Sequence, residues 1–211
     1  MMQTYFITGT DTDVGKTYVA CHLLNKFRQQ GKKTIAFKPI ASGCHLDPNN
    51  KAISEDALLL LEAMTESLDY DQVNPLALLP AIAPHLALEK NQQIISVKDL
   101  MQYYERIKKN SADVCVIEGA GGWRVPINAQ ETWVDFVKSV CCPVVLVVGL
   151  RLGCINHAWL TAEAIQSDGV QLAGWIANEI DPNLLCKEEI VATLQAKIKA
   201  PYWGPVPFLI R

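Results

Sequence analysis

The chain has 211 residues, half of them hydrophobic and 19% charged, with a net charge of −3. That length and apolar share support one α/β domain over residues 1–211, and the absence of any Lys/Arg block excludes the electrostatic footprint of a nucleic-acid or anionic-membrane binder. Residues 1–6 lack the basic start of a signal peptide, the longest apolar run (143–150) has strand length, and seven scattered cysteines without a CxxC or Cys/His cluster suit a reduced, cytoplasmic protein.

Residues 4–9 are apolar and β-branched and predict a strand. It runs into the turn-rich stretch TDTDVGKT at 10–17, and Val19, Leu23, Leu24 and Phe27 then share one face at helical spacing up to Gly31, which predicts a helix over 16–30. Strand, glycine-bearing loop and helix start in that order form a phosphate cradle: the loop turns its N–H groups inward and the helix adds its positive end. The backbone of Asp13, Val14, Gly15, Lys16, Thr17 and Tyr18 would surround the phosphates, with Lys16 reaching the outer ones and the Thr17 hydroxyl a Mg²⁺ ion. Five residues separate Gly9 from Gly15 where the common pattern has four, which marks a variant loop.

Further along, 34–40 predicts a second strand with Lys38-Pro39 at its end. Ser54 caps a helix to about residue 66, and Ser96 with Asp99 forms a capping box for a helix to about 109. Residues 70–91 between them are Pro-rich and read as irregular. The runs 113–118, 143–150 and 172–180 predict buried strands, and 133–140, 156–167 and 183–198 helices. Adjacent Cys141 and Cys142 read as core residues at a strand opening. Nearly all-apolar strands alternating with helices give a doubly wound, mostly parallel sheet of the P-loop NTPase kind, with ligands beyond the carboxyl ends of its strands.

Polar residues at those ends carry the chemistry. Glu118 closes an apolar strand where a nucleotide-binding sheet needs a carboxylate for Mg²⁺, and Asp56 near a helix start offers a second oxygen, so Thr17, Asp56 and Glu118 make a Mg²⁺ set. Asp56 equally suits a plain first-turn acid favoured by the helix dipole. Lys38 is a second lysine beside the phosphate loop and fits a phosphoryl-transfer transition state, or else a solvated strand-end lysine.

The segments GTDTDVGKT at 9–17, KPIASG at 38–43, EGAGGW at 118–123, VGLRLGCINHA at 148–158 and GWIAN at 174–178 together resemble dethiobiotin synthetase. The resemblance implies that CO₂ adds to an amine of 7,8-diaminononanoate, ATP phosphorylates the carbamate, and the other amine closes a ureido ring with loss of phosphate. It makes Lys38, Lys16 and Thr12 catalytic, Thr12 and Ser42 contacts of the diamine or its carbamate, and the backbone of Glu118, Gly119, Ala120 and Gly121 a lining of the ATP site. Asn178 would read the adenine edge, with Glu179 standing where the family often has Asp, and Pro207, Phe208 and Leu209 would flank the base. Gly153, Cys154, Ile155 and Asn156 begin a helix whose N–H groups serve the substrate carboxylate across a homodimer interface. Within that stretch His157 reads as a packing or hydrogen-bonding residue rather than an acid or base, and Trp123 as a wall of the site.

Two rival readings are weaker. A cobyrinate-type amidase shares the extended loop but carries a glutamine-hydrolysing domain for which this chain has no room. A partitioning ATPase switch places an extra lysine at the start of its loop, where Thr8-Gly9-Thr10 stands here, and would show a basic patch or amphipathic membrane tail.

Overall fold

A computed structural model describes residues 2–208. The chain opens with β1 (Gln3–Gly9), α1 (Lys16–Gln29), β2 (Thr34–Phe37) and β3 (Ile40–Ser42). A small hairpin, β4 (His45–Leu46) with β5 (Ala52–Ile53), precedes α2 (Glu55–Ala63), α3 (Tyr70–Val73), β6 (Leu76–Leu78), α4 (Pro84–Lys90) and α5 (Val97–Ile107). The second half alternates regularly: β7 (Val114–Gly122), α6 (Trp133–Val140), β8 (Val144–Leu150), α7 (Cys154–Ser167), β9 (Leu172–Glu179), α8 (Lys187–Lys197) and β10 (Tyr202–Val206).

Six strands form one parallel sheet in the order β10-β9-β8-β1-β7-β2. Every residue of β8 is buried, as expected of a strand covered on both faces. Around β1, Phe6 meets Trp123, Trp133 and Phe136 at centroid distances of 6.4, 5.7 and 6.3 Å, which knits the β7 and α6 segments onto the central strand. After β1 the chain winds to β2 on one side, and after β7 it returns to β8 on the other. The carboxyl end of β1 is therefore the switch point where ligands bind in such sheets.

Five of the six strands of the main sheet match the sequence expectations, β10 is an addition to them, and the helix expected over 183–198 begins only at Lys187. Four other places need correction. The strand expected over 34–40 breaks at Lys38-Pro39 into β2 and β3, because Pro39 has no N–H for a ladder and β3 pairs with β6 instead. The α2 helix stops at Ala63 rather than near 66: Met64 turns extended, and Thr65 exchanges hydrogen bonds with Thr34. Residues 70–91 are not irregular but hold α3, β6 and α4. Cys142 is buried as expected, whereas Cys141 is exposed as the left-handed cap of α6 (φ 55°).

Candidate active site

The loop between β1 and α1 is held from three directions. Thr10 N–H donates to the Val147 carbonyl on β8 at 3.0 Å, Lys16 Nζ to the Asp11 carbonyl at 3.3 Å, and Asn178 Nδ2 to the Val14 carbonyl at 2.9 Å. Gly15 sits in the left-handed region (φ 80°), so the chain turns tightly into α1 and no side chain blocks its first N–H groups. No acidic residue occupies that first turn, which leaves the positive helix end free for phosphate. Lys16 is buried, and that burial pushes its ammonium pKa below the ordinary lysine value, against the pull of Glu118.

Lys38 stands one residue beyond the last paired position of β2, while Glu118 lies on the neighbouring β7 directly after Ile117, the partner of Phe37. Register thus brings the two side chains together: Lys38 Nζ donates to Glu118 Oε1 at 2.5 Å and to Asp56 Oδ2, from the first turn of α2, at 2.8 Å. Thr17 Oγ1 donates to the same Glu118 oxygen at 2.9 Å. Burial alone would drive Lys38 toward neutrality, but Glu118 and Asp56 outweigh it and hold the ammonium above its ordinary pKa. For Asp56 burial also works against charge, and Lys38 reverses it, leaving the carboxyl below its usual range.

Thr17, Asp56 and Glu118 therefore converge around Lys38. Glu118 is fully buried, yet its Oε2 has no hydrogen-bond partner, a state that costs on the order of a few kcal/mol unless a cation or donor takes it up. The residues fit a Mg²⁺ ion in this respect, since Mg²⁺ favours one or two carboxylates and a hydroxyl and draws its other ligands from phosphate and water. Among the described residues no cluster of three His, Cys, Asp or Glu forms a separate metal cage.

The remaining expected residues are dispersed around this centre. Gly119 lies buried on β7, where a Cβ would fall 2.6 Å from Phe6 Cζ; Ala120 is buried beside it, and Gly121 turns with φ 67°. Thr12 and Asp13 are exposed, Tyr18 is half-buried on α1, and Ser42 is half-buried at the end of β3. A cleft of about 500 Å³ opens beside Thr12, walled by Trp123, Val125, Pro126 and Leu160. Asn178 is buried with its Nδ2 spent on Val14 and its Oδ1 unpartnered, so one acceptor remains for a ligand donor. Val206 pairs with Asn178, which sets Pro207 and the exposed Phe208 just past it; Leu209 lies outside the described residues. Glu179 is committed to Lys187 on α8 at 3.0 Å. At the start of α7, Gly153 caps the helix (φ 94°), Cys154 is buried, Ile155 half-buried and Asn156 exposed. His157 is exposed too, which removes the packing alternative expected of it.

Three further side chains shape the site without a role assigned to them from the sequence. Arg151 pairs with the Asp11 carboxylate and ties the β8–α7 loop to the phosphate loop. Asp168 accepts from Trp123 Nε1 at 2.8 Å and pairs with Arg124 at 3.0 Å. Asn74, also buried, donates to the Lys38 carbonyl at 2.7 Å; it lies in the stretch 70–91 that read as irregular.

Comparison with known proteins places the chain in a family. A family model described as an AAA domain matches residues 3–211. An ATP-dependent dethiobiotin synthetase BioD of Pseudomonas aeruginosa is 48% identical over 209 residues, covering 99% of this chain and 91% of that protein. The same-named protein of Marinobacter nauticus is 45% identical, covering 98% and 88%. Among solved structures, the MinC:MinD cell division complex of Aquifex aeolicus aligns with a TM-score of 0.59 at 19% identity, over 99% of this chain and 82% of that one. The septum site-determining protein MinD of Pyrococcus horikoshii, complexed with Mg-ADP, gives 0.59 at 16% identity, over 98% and 82%. At those identities the structural likeness concerns the fold alone. The near full-length identity to the curated enzymes is decisive, and the chain belongs to the ATP-dependent dethiobiotin synthetase family.

Proposed function

We propose that this chain makes dethiobiotin from 7,8-diaminononanoate, CO₂ and ATP, releasing ADP and phosphate, with the residue roles that follow. The observation that carries the assignment of roles is the meeting of Lys38, Thr17, Asp56 and Glu118 beside the phosphate loop. A carbamate is a poor electrophile until phosphorylated. Its oxygen must face the γ-phosphate in line, so positioning and charge neutralisation carry most of the rate.

In this reading the N–H groups of residues 13–18 hold the phosphates and Lys16 neutralises them. Lys38 offers its ammonium to the negative charge that develops between carbamate and γ-phosphate. Thr17, Asp56 and Glu118 would hold Mg²⁺, which when bound neutralises phosphate charge. The unpartnered Oδ1 of Asn178 suits the adenine amino group, with the backbone of residues 118–121 and residues 207 and 208 lining the nucleotide. Thr12 and Ser42 contact the diamine or its carbamate.

A homodimer completes the site, with residues 153–156 of the second copy offering helix N–H groups to the substrate carboxylate. Support comes from α7 and the loop before it, where Leu152 is 93% and Leu160 57% exposed and Trp159 is also exposed, an apolar surface suited to another copy of the chain. The setting is cytoplasmic; the seven cysteines are free, and among the described residues no helix is long and apolar enough to cross a membrane.

The test is phosphate release from Mg²⁺-ATP and bicarbonate, with and without the diamine, alongside mass spectrometry of the product. Release that depends on the diamine and yields the cyclic urea is the expected result. Equal hydrolysis without diamine and no ring would overturn the assignment.

A further inference from the structure

The position of Lys38 is set outside the main sheet. β2 ends at Phe37, and Pro39 cannot donate, so the Lys38 backbone has no ladder partner in β7. Both of its polar groups are met instead by the last residue of α3 and the residue after it. Lys38 N–H donates to the Val73 carbonyl at 2.8 Å, and the Lys38 carbonyl accepts from Asn74 Nδ2 at 2.7 Å. Asn74 is 1% exposed and its amide is fully used: Oδ1 accepts from the Tyr70 hydroxyl at 2.9 Å, and Nδ2 also approaches the Leu76 carbonyl at 3.4 Å. Tyr70 continues the chain. Its hydroxyl oxygen accepts from Ser54 N–H at 2.7 Å, and Ser54 is the N-cap of α2, two positions before Asp56.

We propose that Tyr70 and Asn74 are positioning residues for the reaction, a relay that fixes the Lys38 strand end relative to the start of α2 so that the ammonium stays aligned on Asp56. The relay runs from the Lys38 carbonyl through the Asn74 amide and the Tyr70 hydroxyl to the Ser54 N–H. It closes a loop with the Lys38–Asp56 ion pair itself. A lysine on a flexible stem is otherwise free to wander, since four methylene torsions separate its ammonium from the backbone. Fixing the backbone at one end and the accepting carboxylate at the other removes that freedom. Glu118 needs no such device, because the β7 ladder already sets it against β2. Neither Tyr70 nor Asn74 donates to or accepts from Lys16, Thr17 or Glu118 in this network, so the effect passes through Lys38 and α2 rather than through the phosphate loop.

This inference rests on Lys38 acting in the reaction as proposed above, and the experiment separates the two. Tyr70→Phe removes one hydroxyl and both of its hydrogen bonds from the relay while keeping the ring. It is expected to lower kcat for dethiobiotin formation by about tenfold to a hundredfold, the scale at which small misplacements act. Mg²⁺-ADP affinity and the KM for ATP should stay within about twofold of the parent chain, because the phosphate loop is untouched. Asn74→Asp, which sets a carboxylate oxygen against the Lys38 carbonyl, should fall at least as far in kcat. A Tyr70→Phe enzyme with kcat within about twofold of the parent overturns the relay. So does a loss of kcat matched by an equal loss of Mg²⁺-ADP binding, which would mark a purely structural defect. Failure of the parent chain to form the ring would count against the functional assignment instead.

Discussion

The Asn178 amide lies directly against Gly15: its Nδ2 donates to the Val14 carbonyl at 2.9 Å, and a Cβ at position 15 would fall 2.1 Å from that nitrogen. Two penalties therefore coincide at one residue, a left-handed backbone and a collision with a buried amide. Gly15→Ala is expected to weaken ADP binding by at least about tenfold, since Asn178 must move and take the loop carbonyl with it. Gly31→Ala is the control. It shares the positive φ but has nothing within 4 Å of its Cβ, so it should cost about 1 kcal/mol of stability and leave affinity unchanged. Titration calorimetry of both variants decides the matter, and parent-like ADP binding by Gly15→Ala would remove this loop from the phosphate site.

Lys38 and Glu118 should separate chemistry from metal use. Lys38→Ala is expected to retain nucleotide binding and lose turnover, because Lys16 and the loop N–H groups remain. Glu118→Ala is expected to weaken the Mg²⁺-dependent component of nucleotide binding. It also leaves Lys38, itself buried, with Asp56 as its remaining ion-pair partner, so the loss of stability should fall short of the about 3–5 kcal/mol that a wholly unpaired buried charge costs. Turnover by Lys38→Ala near the parent rate, or an unaltered Mg²⁺ dependence in Glu118→Ala, would strip the respective residue of its role.

The same cluster gives stability a defined pH window. Asp56 has a folded pKa below its unfolded value of about 3.9, so its contribution is present above that value and is lost as pH falls through the folded pKa. Lys38 has a folded pKa above its unfolded value of about 10.4, so its contribution is present below that value and is lost as pH rises through the folded pKa. Between those limits the ion pair contributes fully. Asp56→Asn should flatten the acid limb of stability against pH, measured by urea unfolding of the ligand-free protein. An acid limb with the parent slope would show that Asp56 does not titrate with folding.

How far the site could be read from the sequence depended on whether its parts are local. The phosphate loop was legible because strand, turn and helix each announce themselves within Thr4 to Tyr18, and Thr17 and Glu118 meet because β1 and β7 pair in register. The Lys38 contact with Asp56 was not legible, since it depends on the α2 cap held by Tyr70, in a stretch whose prolines hid its short helices. The β10 strand was hidden for a similar reason. Its sequence YWGPV carries the two residues least suited to strands, and an edge position tolerates the proline. The packing reading of His157 fails because its apolar neighbours do not share one direction: Cys154 and Ala158 are buried, whereas Trp159 and Leu160 are exposed on α7 as His157 is.

Asp168 ties the loop after β7 to the far end of α7, and that tie shapes the wall of the cleft beside Thr12. Trp123 is 2% exposed and its indole N–H has Asp168 as its acceptor at 2.8 Å, whereas the side chain of Arg124, on the same carboxylate, is 60% exposed. The two contacts should therefore differ in worth. Asp168→Ala strands a buried donor and is expected to cost about 1–3 kcal/mol, while Arg124→Ala removes an exposed pair and should cost no more than about 1 kcal/mol. Because Trp123 walls the cleft, Asp168→Ala should also raise the KM for the diamine more than that for ATP. Thermal unfolding and steady-state kinetics of the two variants test this together. Equal losses of stability would mean that the indole finds another acceptor, and the wall would then not depend on Asp168.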